Sequence, residues 1–285
     1  MKKGLIYGLF FSALAAEGFA AEPLVFTRRV GDFEVHTLVE NRGQGRASIL
    51  LGANDAQLAR YIPGGTYQSE TNAFLVRGGG RIVLVDTGFG TTLFESMQTL
   101  GIEPGQVDAV LITHMHGDHI GGLQKEGKAL FPRAEVYLAR QERDHWTRGE
   151  GGNNRSAAAA LAPYGNRVHT FLPGELGALG QELLPGITPI AAFGHTPGHT
   201  LYMVSSGGEG LLILGDLIHA QDIQFPLPEI SVTYDTDPGA AAAIRKRVLE
   251  YAAAQNISVA GIHLVYPAIG TVSAEGSGYR LNPAQ

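Results

Sequence analysis

The chain of 285 residues contains no cysteine, so it can form no disulfide and can offer no thiolate to a metal ion. Any metal ion would have to be held by histidine, aspartate or glutamate. The chain also lacks a run of basic residues, and its formal net charge is −6 at pH 7. Because nucleic-acid binding depends on clustered Lys and Arg side chains, this balance argues against a nucleic-acid partner.

Long apolar runs are absent too, apart from one near the amino end. Two lysines precede residues 4–16, GLIYGLFFSALAA, and the small residues Gly18 and Ala20 follow. This order is typical of a secretory signal peptide, and the run is shorter than the roughly 20 residues that span a bilayer. We predict that residues 1–20 are a signal peptide and that residues 21–285 form the mature, periplasmic or secreted protein. Cleavage would leave no stable membrane anchor, whereas a retained anchor is the alternative.

No internal repeat or linker divides the remaining chain, which predicts a single domain. Strand and helix signals alternate, which favours a layered α/β fold. Strands are predicted at 33–39, 73–77, 81–86, 107–113, 135–139, 187–193, 201–205, 211–214, 257–262 and 279–281, and helices at 91–100, 141–147 and 237–254. Residues 149–180 carry a weaker pattern, which predicts a functional loop or lid with at most a short helix at 156–161.

Three histidines and an aspartate lie within six positions, in HMHGDH at 114–119. They follow the apolar strand predicted at 107–113. His114 and His116 are two positions apart, so on an extended segment they face the same side. Asp118 and His119 follow Gly117, where a helix could begin. The pattern indicates a metal site, with a solvated polar loop as the alternative.

Three other predicted strands end in the same way. His195 and His199 follow PIAAF, Asp216 follows GLLILG, and His263 follows SVAGI. Ligands of α/β folds collect at the carboxyl ends of strands. One catalytic metal ion needs about three protein ligands and a water. These side chains therefore suffice for two metal ions, which makes a solvated loop a poor explanation of the cluster.

The His-x-His-x-Asp-His run, GHTPGHT, LGD and GIH together resemble the metallo-β-lactamase-fold hydrolases. The resemblance covers nearly all of the mature chain and includes IVLVDTGFG at 82–90. The carboxyl-terminal part is most similar to the methyl parathion hydrolase branch, which itself resembles acyl-homoserine lactonases. The resemblance implies one domain with the four-layer αβ/βα sandwich of that fold.

The resemblance also implies two metal ions, each with its own ligands, and a carboxylate between them. The first ion would take His114, His116 and His199, the second would take Asp118, His119 and His263, and Asp216 would bridge the two. Zinc is the expected metal, with manganese, cobalt or iron as alternatives, because these ligands are hard or borderline. A hydroxide between the ions would be the nucleophile. Asp118 would also pass a proton to the leaving group, whereas His195 and Asp86 would support ligands.

Four further side chains are candidates for the substrate pocket, because such pockets are mostly apolar with a few polar groups. They are Phe89, Trp146, His219 and Phe225. For each aromatic residue the alternative is an ordinary place in the core or on the surface. For His219 the alternative is a buried histidine whose hydrogen bonds are satisfied.

The leading hypothesis is a dinuclear zinc hydrolase of small lactones or esters, such as acyl-homoserine lactones. Hydrolysis of organophosphate triesters of the methyl parathion type is a close alternative. A metallo-β-lactamase fits less well, because true β-lactamases of this fold usually carry another residue where Asp216 stands. A different class is a binding protein that keeps its metal for stability without turnover. The expected partner is a small ester, lactone or phosphotriester, and a homodimer is an open alternative to a monomer.

Overall fold

The computed structural model describes residues 23–148, 155–178 and 180–285. The predicted signal peptide and residues 149–154 of the predicted loop lie outside these ranges. Within them, no helix combines the length and the apolar character needed to cross a membrane.

Seventeen strands are found in the described ranges. In chain order they are β1 Val25–Val30, β2 Phe33–Arg46, β3 Leu50–Leu51, β4 Thr66–Gly78, β5 Arg81–Val85, β6 Ala109–Leu111, β7 Gln124–Lys125, β8 Lys128–Ala129, β9 Glu135–Ala139, β10 Val168–Phe171, β11 Ile187–Ala191, β12 Thr200–Ser206, β13 Glu209–Ile213, β14 Ser231–Val232, β15 Ser258–Ala260, β16 Ile269–Glu275 and β17 Gly278–Pro283.

Seven α-helices connect or cover these strands. They are α1 Asp55–Tyr61, α2 Leu93–Thr99, α3 Gly117–Ile120, α4 Arg140–Arg148, α5 Arg155–Leu161, α6 Gln221–Gln224 and α7 Pro238–Gln255. The longest of them, α7, begins at an Asp cap, because the side chain of Asp237 accepts a hydrogen bond from the backbone N–H of Ala240. Pro238 suits the first helical position, where no backbone donor is needed.

Thirteen of these strands form two large sheets, whereas β3 pairs with β14 and β7 pairs with β8. The first has seven strands in the order β1-β2-β4-β5-β6-β9-β10, and the second has six in the order β11-β12-β13-β15-β16-β17. Strands β5, β6, β9 and β10 run parallel to one another, as do β13 and β15. Parallel neighbours place their carboxyl ends at one edge of a sheet, which is where the candidate site forms.

Successive side chains of the central strands point to opposite faces of the sheet, and each face packs against a different layer. On β5, Val83 and Val85 belong to a buried cluster that includes Leu211 and Ile213 of the second sheet. Leu84 belongs to another cluster with residues of α2 and α5. The sheets therefore pack face to face, α2 and α5 cover the outside of the first, and α7 packs against β16 of the second. This is the four-layer αβ/βα arrangement that the sequence predicts.

The strongest patterns are found close to their predicted limits, and β9 matches its prediction residue for residue. In the stretch 149–180, α5 confirms the short helix predicted at 156–161. The rest differs from the prediction of a long loop, because a 3₁₀ segment at 162–167 and β10 occupy much of it. Strand β10 pairs in parallel with β9 and forms one edge of the first sheet. Its sequence, VHTF, is too short to show a period on its own.

Leu84→Ala tests the two-layer packing of the first sheet. Leu84 is fully buried, so the truncation should lower the free energy of unfolding by about 2–5 kcal/mol, measured by denaturant titration. Leu172→Ala is the control, because Leu172 is 62% exposed and should change stability by less than about 0.5 kcal/mol. Equal effects of the two substitutions would contradict the assignment of Leu84 to the core.

Candidate metal centre

Four strand ends meet at one edge of the two sheets. The turn after β6 carries His114 and His116, and α3 begins directly after His116. The turn after β11 carries His195, the turn after β13 carries Asp216, and the turn after β15 carries His263. The structure therefore brings together side chains from both halves of the chain, as the repeated strand-end pattern predicts.

Three imidazoles converge in the first group. Nδ1 of His116 lies 2.9 Å from Nε2 of His114 and 3.1 Å from Nε2 of His195. The Nε2 atoms of His114 and His195 are 3.1 Å apart. Together with Asp216 these residues place one ligand atom each within 4.8 Å of one another.

A second group adjoins the first. Asp118, His119 and His263 also bring their ligand atoms within 4.8 Å of one another. The carboxylate of Asp216 lies between the groups, because its Oδ1 is 3.1 Å from Nε2 of His119 and its Oδ2 is 3.3 Å from Nε2 of His195. Asp216 is thus placed to bridge two metal ions.

His199 does not join either group, although the resemblance implies that it is a ligand of the first metal ion. Its Nδ1 donates to the carbonyl of Ala192, and its Nε2 accepts the backbone N–H of Asp216 at 3.0 Å. Both ring nitrogens are therefore occupied. His195 takes the place that the sequence analysis gave to His199, and His199 instead holds the backbone of Asp216.

The donor set fits a bound cation. Nδ1 of His195 donates to Asp235, and Nδ1 of His263 donates to the carbonyl of Glu70, so in the neutral form of each ring it is Nε2 that carries the lone pair. Nε2 of His119 and Oδ1 of Asp216 are buried and have no hydrogen-bond partner. Lone pairs that face one another in a buried site are costly unless a cation or a proton lies between them.

Buried carboxylates hold the ligands in place. Asp86 accepts hydrogen bonds from Nδ1 of His119 at 2.8 Å and from the backbone N–H and the hydroxyl of Thr113. Asp86 therefore contacts a predicted ligand, His119, from the position that the supporting role predicted for it requires. Asp235 does the same for His195 at 2.9 Å. The sequence analysis missed Asp235. This residue lies two positions before the Asp237 cap of α7, where no local pattern distinguishes a supporting acid from an ordinary turn residue.

The surroundings lower the pKa of two of these imidazoles and raise the pKa of a third. Burial lowers the pKa of His116 to about 4 and holds the pKa of His114 well below its usual value, so both rings are neutral at pH 7. Burial also acts to lower the pKa of His195, but its hydrogen bonds to Asp216 and Asp235 raise it to about 9. Without metal, His195 is therefore protonated at pH 7.

A cavity of about 470 Å³ opens onto both groups. Its floor includes His116, Asp118, Asp216 and His219, and its rim carries Phe89, which is 49% exposed. Nε2 of His219 lies 3.0 Å from Oδ2 of Asp216, whereas its Nδ1 has no hydrogen-bond partner. Phe89 and His219 thus lie where the sequence analysis expects substrate-binding residues.

The other two pocket candidates do not line this cavity. Phe225 is 2% exposed and packs within the main core. Trp146 packs edge-on against the ring of His116, and its Nε1 donates to the buried carboxylate of Glu142. In their place the cavity has Tyr67 and Tyr234, which the sequence analysis missed because isolated tyrosines carry no pattern.

The model of the metallo-beta-lactamase superfamily matches residues 66–255, which is more than half of the chain. The chain belongs to the metallo-beta-lactamase superfamily. The match includes most of the donor cluster, and only His263 follows it. The chain is therefore a metal-dependent hydrolase with the fold of this superfamily.

Two solved structures resemble the whole domain. Hydrolase AbOPH of the beta lactamase superfamily is 28% identical, with a TM-score of 0.85 over 93% of this chain and 99% of that one. AidC, a dizinc quorum-quenching lactonase in complex with the product N-hexnoyl-L-homoserine, is 25% identical, with a TM-score of 0.82 over the same shares of the two chains.

Among curated proteins, the anti-Pycsar protein Apyc1 of Saccharibacillus brassicae is 27% identical over 206 residues. This match covers 70% of the present chain and 76% of Apyc1. For several other curated relatives the chain spans less than half of their length.

Proton release on metal binding tests the geometry of the first group. Because the pKa of His195 is raised to about 9 in the metal-free protein, a metal ion that takes its lone pair must displace a proton at pH 7. Zinc affinity should therefore rise with pH up to about 9. Calorimetry of zinc binding to the metal-free protein, in buffers of different ionisation enthalpy, measures the release.

The matched variant is His195→Ala, which should release about one proton fewer than the wild type. A binding enthalpy that is the same in every buffer, or a release unchanged by His195→Ala, would contradict this account of the site.

Proposed function

We propose that this protein is a dinuclear zinc hydrolase of small lactones or esters with an apolar tail, such as acyl-homoserine lactones. The observation that carries the proposal is a two-part donor cluster that shares Asp216 and opens onto a cavity with an apolar and aromatic rim. Small-molecule pockets of this size combine an apolar lining with a few polar groups that fix the ligand. The likeness to AidC, a dizinc lactonase by its description, supports the proposal.

Two zinc ions would lower the pKa of a bound water and polarise the carbonyl of the substrate. His114, His116 and His195 would hold one ion, Asp118, His119 and His263 would hold the other, and Asp216 would contact both. Manganese, cobalt and iron suit the same donors, since all are nitrogen and carboxylate oxygen.

Asp118 has the position of a proton carrier. Its side chain is 23% exposed to the cavity, and its Oδ2 lies 3.4 Å from Nε2 of His263. Burial acts to raise the pKa of Asp118, but the adjacent rings of His119 and His263 outweigh it and lower the pKa. The carboxylate is therefore ionised at pH 7, so it can accept the proton of the attacking water and return it to the alkoxide that leaves when the ester bond breaks.

Different residues of the cavity would bind the acyl tail and the reacting carbonyl of such a substrate. Phe89 and Tyr234 are 49% and 54% exposed, and with Ile49 they give the cavity apolar and aromatic surface. An acyl tail would lie against these side chains while the lactone carbonyl reaches the cluster. His219, buried beside Asp216, is placed to contact the substrate near its reacting carbonyl.

Organophosphate triesters are the second candidate substrates, because a phosphoryl oxygen can be polarised by the same cluster and the aromatic rim suits an aryl leaving group. A β-lactamase activity and a binding protein without turnover are the remaining alternatives. Export through the amino-terminal segment stays a prediction. A homodimer stays an alternative to a monomer.

A substrate panel tests the proposed function. Zinc-loaded protein should hydrolyse N-hexanoyl-homoserine lactone faster than methyl parathion or nitrocefin, chelation should abolish turnover, and added zinc should restore it. Full activity of a metal-free sample would contradict metal catalysis. Turnover of methyl parathion alone would favour the phosphotriesterase, turnover of nitrocefin alone the β-lactamase, and no turnover by a protein with two bound zinc ions would favour the binding protein.

Phe89→Ala tests the rim. Loss of a partly buried aromatic contact should raise KM for a long-chain lactone by about 5-fold to 30-fold, since covering such a side chain is worth about 1–2 kcal/mol. The value of kcat should stay unchanged, because the contact is the same in the ground state and in the transition state. Steady-state kinetics with butanoyl and decanoyl lactones measure this. An equal change for both chain lengths would contradict a tail-binding role for Phe89.

A further inference from the structure

A single carboxylate joins the two turns that carry the first group of imidazoles. Glu142, on α4, is completely buried. Its Oε1 accepts the backbone N–H of Met115 at 2.9 Å, and Met115 stands between His114 and His116. Its Oε2 accepts the hydroxyl of Thr196 at 2.7 Å and the backbone N–H of Gly198 at 2.9 Å, in the turn that begins with His195.

The packing around Glu142 allows little adjustment. A Cβ on Gly198 would lie 2.3 Å from the backbone nitrogen of Glu142, so this position must be glycine for α4 to approach the turn. Trp146, one helical turn further along α4, completes the carboxylate's partners with its indole N–H. Its ring packs on the ring of His116, with centroids 5.4 Å apart.

Among the described residues, the four hydrogen-bond partners of Glu142 all donate to it. This arrangement fits an ionised carboxylate, which accepts at both oxygens. The turn of His114 and His116 belongs to the first sheet, whereas the turn of His195 belongs to the second. Glu142 therefore fixes the distance between ligands that come from opposite halves of the sandwich.

We infer that Glu142 is a positioning residue that sets the geometry, and hence the affinity, of the metal site formed by His114, His116 and His195. The inference rests on the two-metal site proposed above. Glu142 touches neither the substrate cavity nor a ligand atom, so it acts through the backbone of the two turns. Groups that orient metal ligands typically change metal affinity by about 10-fold to 100-fold when they are removed.

Glu142→Gln is the most direct test, because it keeps the shape of the side chain. A glutamine can accept at one end only, and its amide N–H₂ must face donors at the other. At the Oε2 end, the hydroxyl of Thr196 can turn to accept, but the N–H of Gly198 cannot. The substitution should therefore loosen the turn of His195 and leave the second group, Asp118, His119 and His263, unchanged.

The experiment measures zinc binding to metal-free protein by competition with a chromophoric chelator. Two backgrounds isolate the sites: His263→Ala keeps the first group intact, and His195→Ala keeps the second. In the His263→Ala background, Glu142→Gln should weaken zinc binding by about 10-fold to 100-fold. In the His195→Ala background it should have no effect. Thermal unfolding of each metal-free protein measures the effect of each substitution on stability separately from its effect on zinc affinity.

Two further variants keep the inference falsifiable. Tyr164→Phe is the stability control, because it removes a buried hydrogen bond to the carbonyl of Leu123 and should leave both affinities unchanged. Thr196→Val removes one partner of Glu142 and should weaken the first site in the same direction, even if Glu142→Gln does not fold. Because Thr196 and Glu142 act through one contact, their effects in the double variant should be less than additive.

The outcomes distinguish failure of the proposed two-metal site from failure of the role inferred for Glu142. A wild-type protein that does not bind two zinc ions would overturn the two-metal site and this inference with it. A wild type that binds two ions, with Glu142→Gln equally weak in both backgrounds or without effect in either, would overturn the role of Glu142 alone. Unchanged affinity in Thr196→Val would contradict the role in the same way.

Discussion

The structure depends on one buried carboxylate, Asp216, and the imidazoles that surround it. Its two oxygens lie 3.0–3.5 Å from ring nitrogens of five histidines: His114, His119, His195, His219 and His263. Burial acts to raise the pKa of Asp216, but these rings outweigh it and hold the pKa well below its usual value. So many lone pairs and one negative charge in a buried space require protons or metal ions between them. The close approach of strand ends from two sheets, the supporting acids and the open cavity all serve this arrangement.

The layered fold was largely predictable, because the chain marks it with strong local signals. Apolar strands of five to seven residues, bounded by glycine, and an Asp-Pro helix start leave little choice of element type. Elements without such signals were missed. Strand β1, VFTRRV, is half exposed and does not alternate cleanly, and α1 depends on a capping box at Asn54 and Gln57 rather than on an apolar stripe. Strand β10 forms because it pairs with β9 at the edge of the sheet, and such long-range pairing cannot be seen in the sequence of a short segment.

The site was predictable as a cluster but not in every member. Both His195 and His199 follow the same strand, and spacing alone does not distinguish them. The difference lies in the turn between β11 and β12: the backbone N–H of Ala192 pairs with the carbonyl of His199, so His199 lies directly before β12, whereas His195 lies within the turn. Glu142 and Asp235 were not predictable at all, since the groups that they bind in the histidine-bearing turns are 27–56 and 40 residues away. Residues that support ligands are defined by the fold, whereas the ligands themselves carry a motif.

The central claim is that two metal ions share Asp216 and that His195, rather than His199, completes the first site. Anomalous X-ray diffraction at the zinc edge, from crystals of the zinc-loaded protein, tests it most directly. The account predicts two peaks per chain about 3.5–4 Å apart, a separation typical of two-metal sites, with Asp216 in contact with both and His195 bonded to one of them. A single peak, or a zinc ion bound to His199 with His195 outside coordination distance, would contradict it.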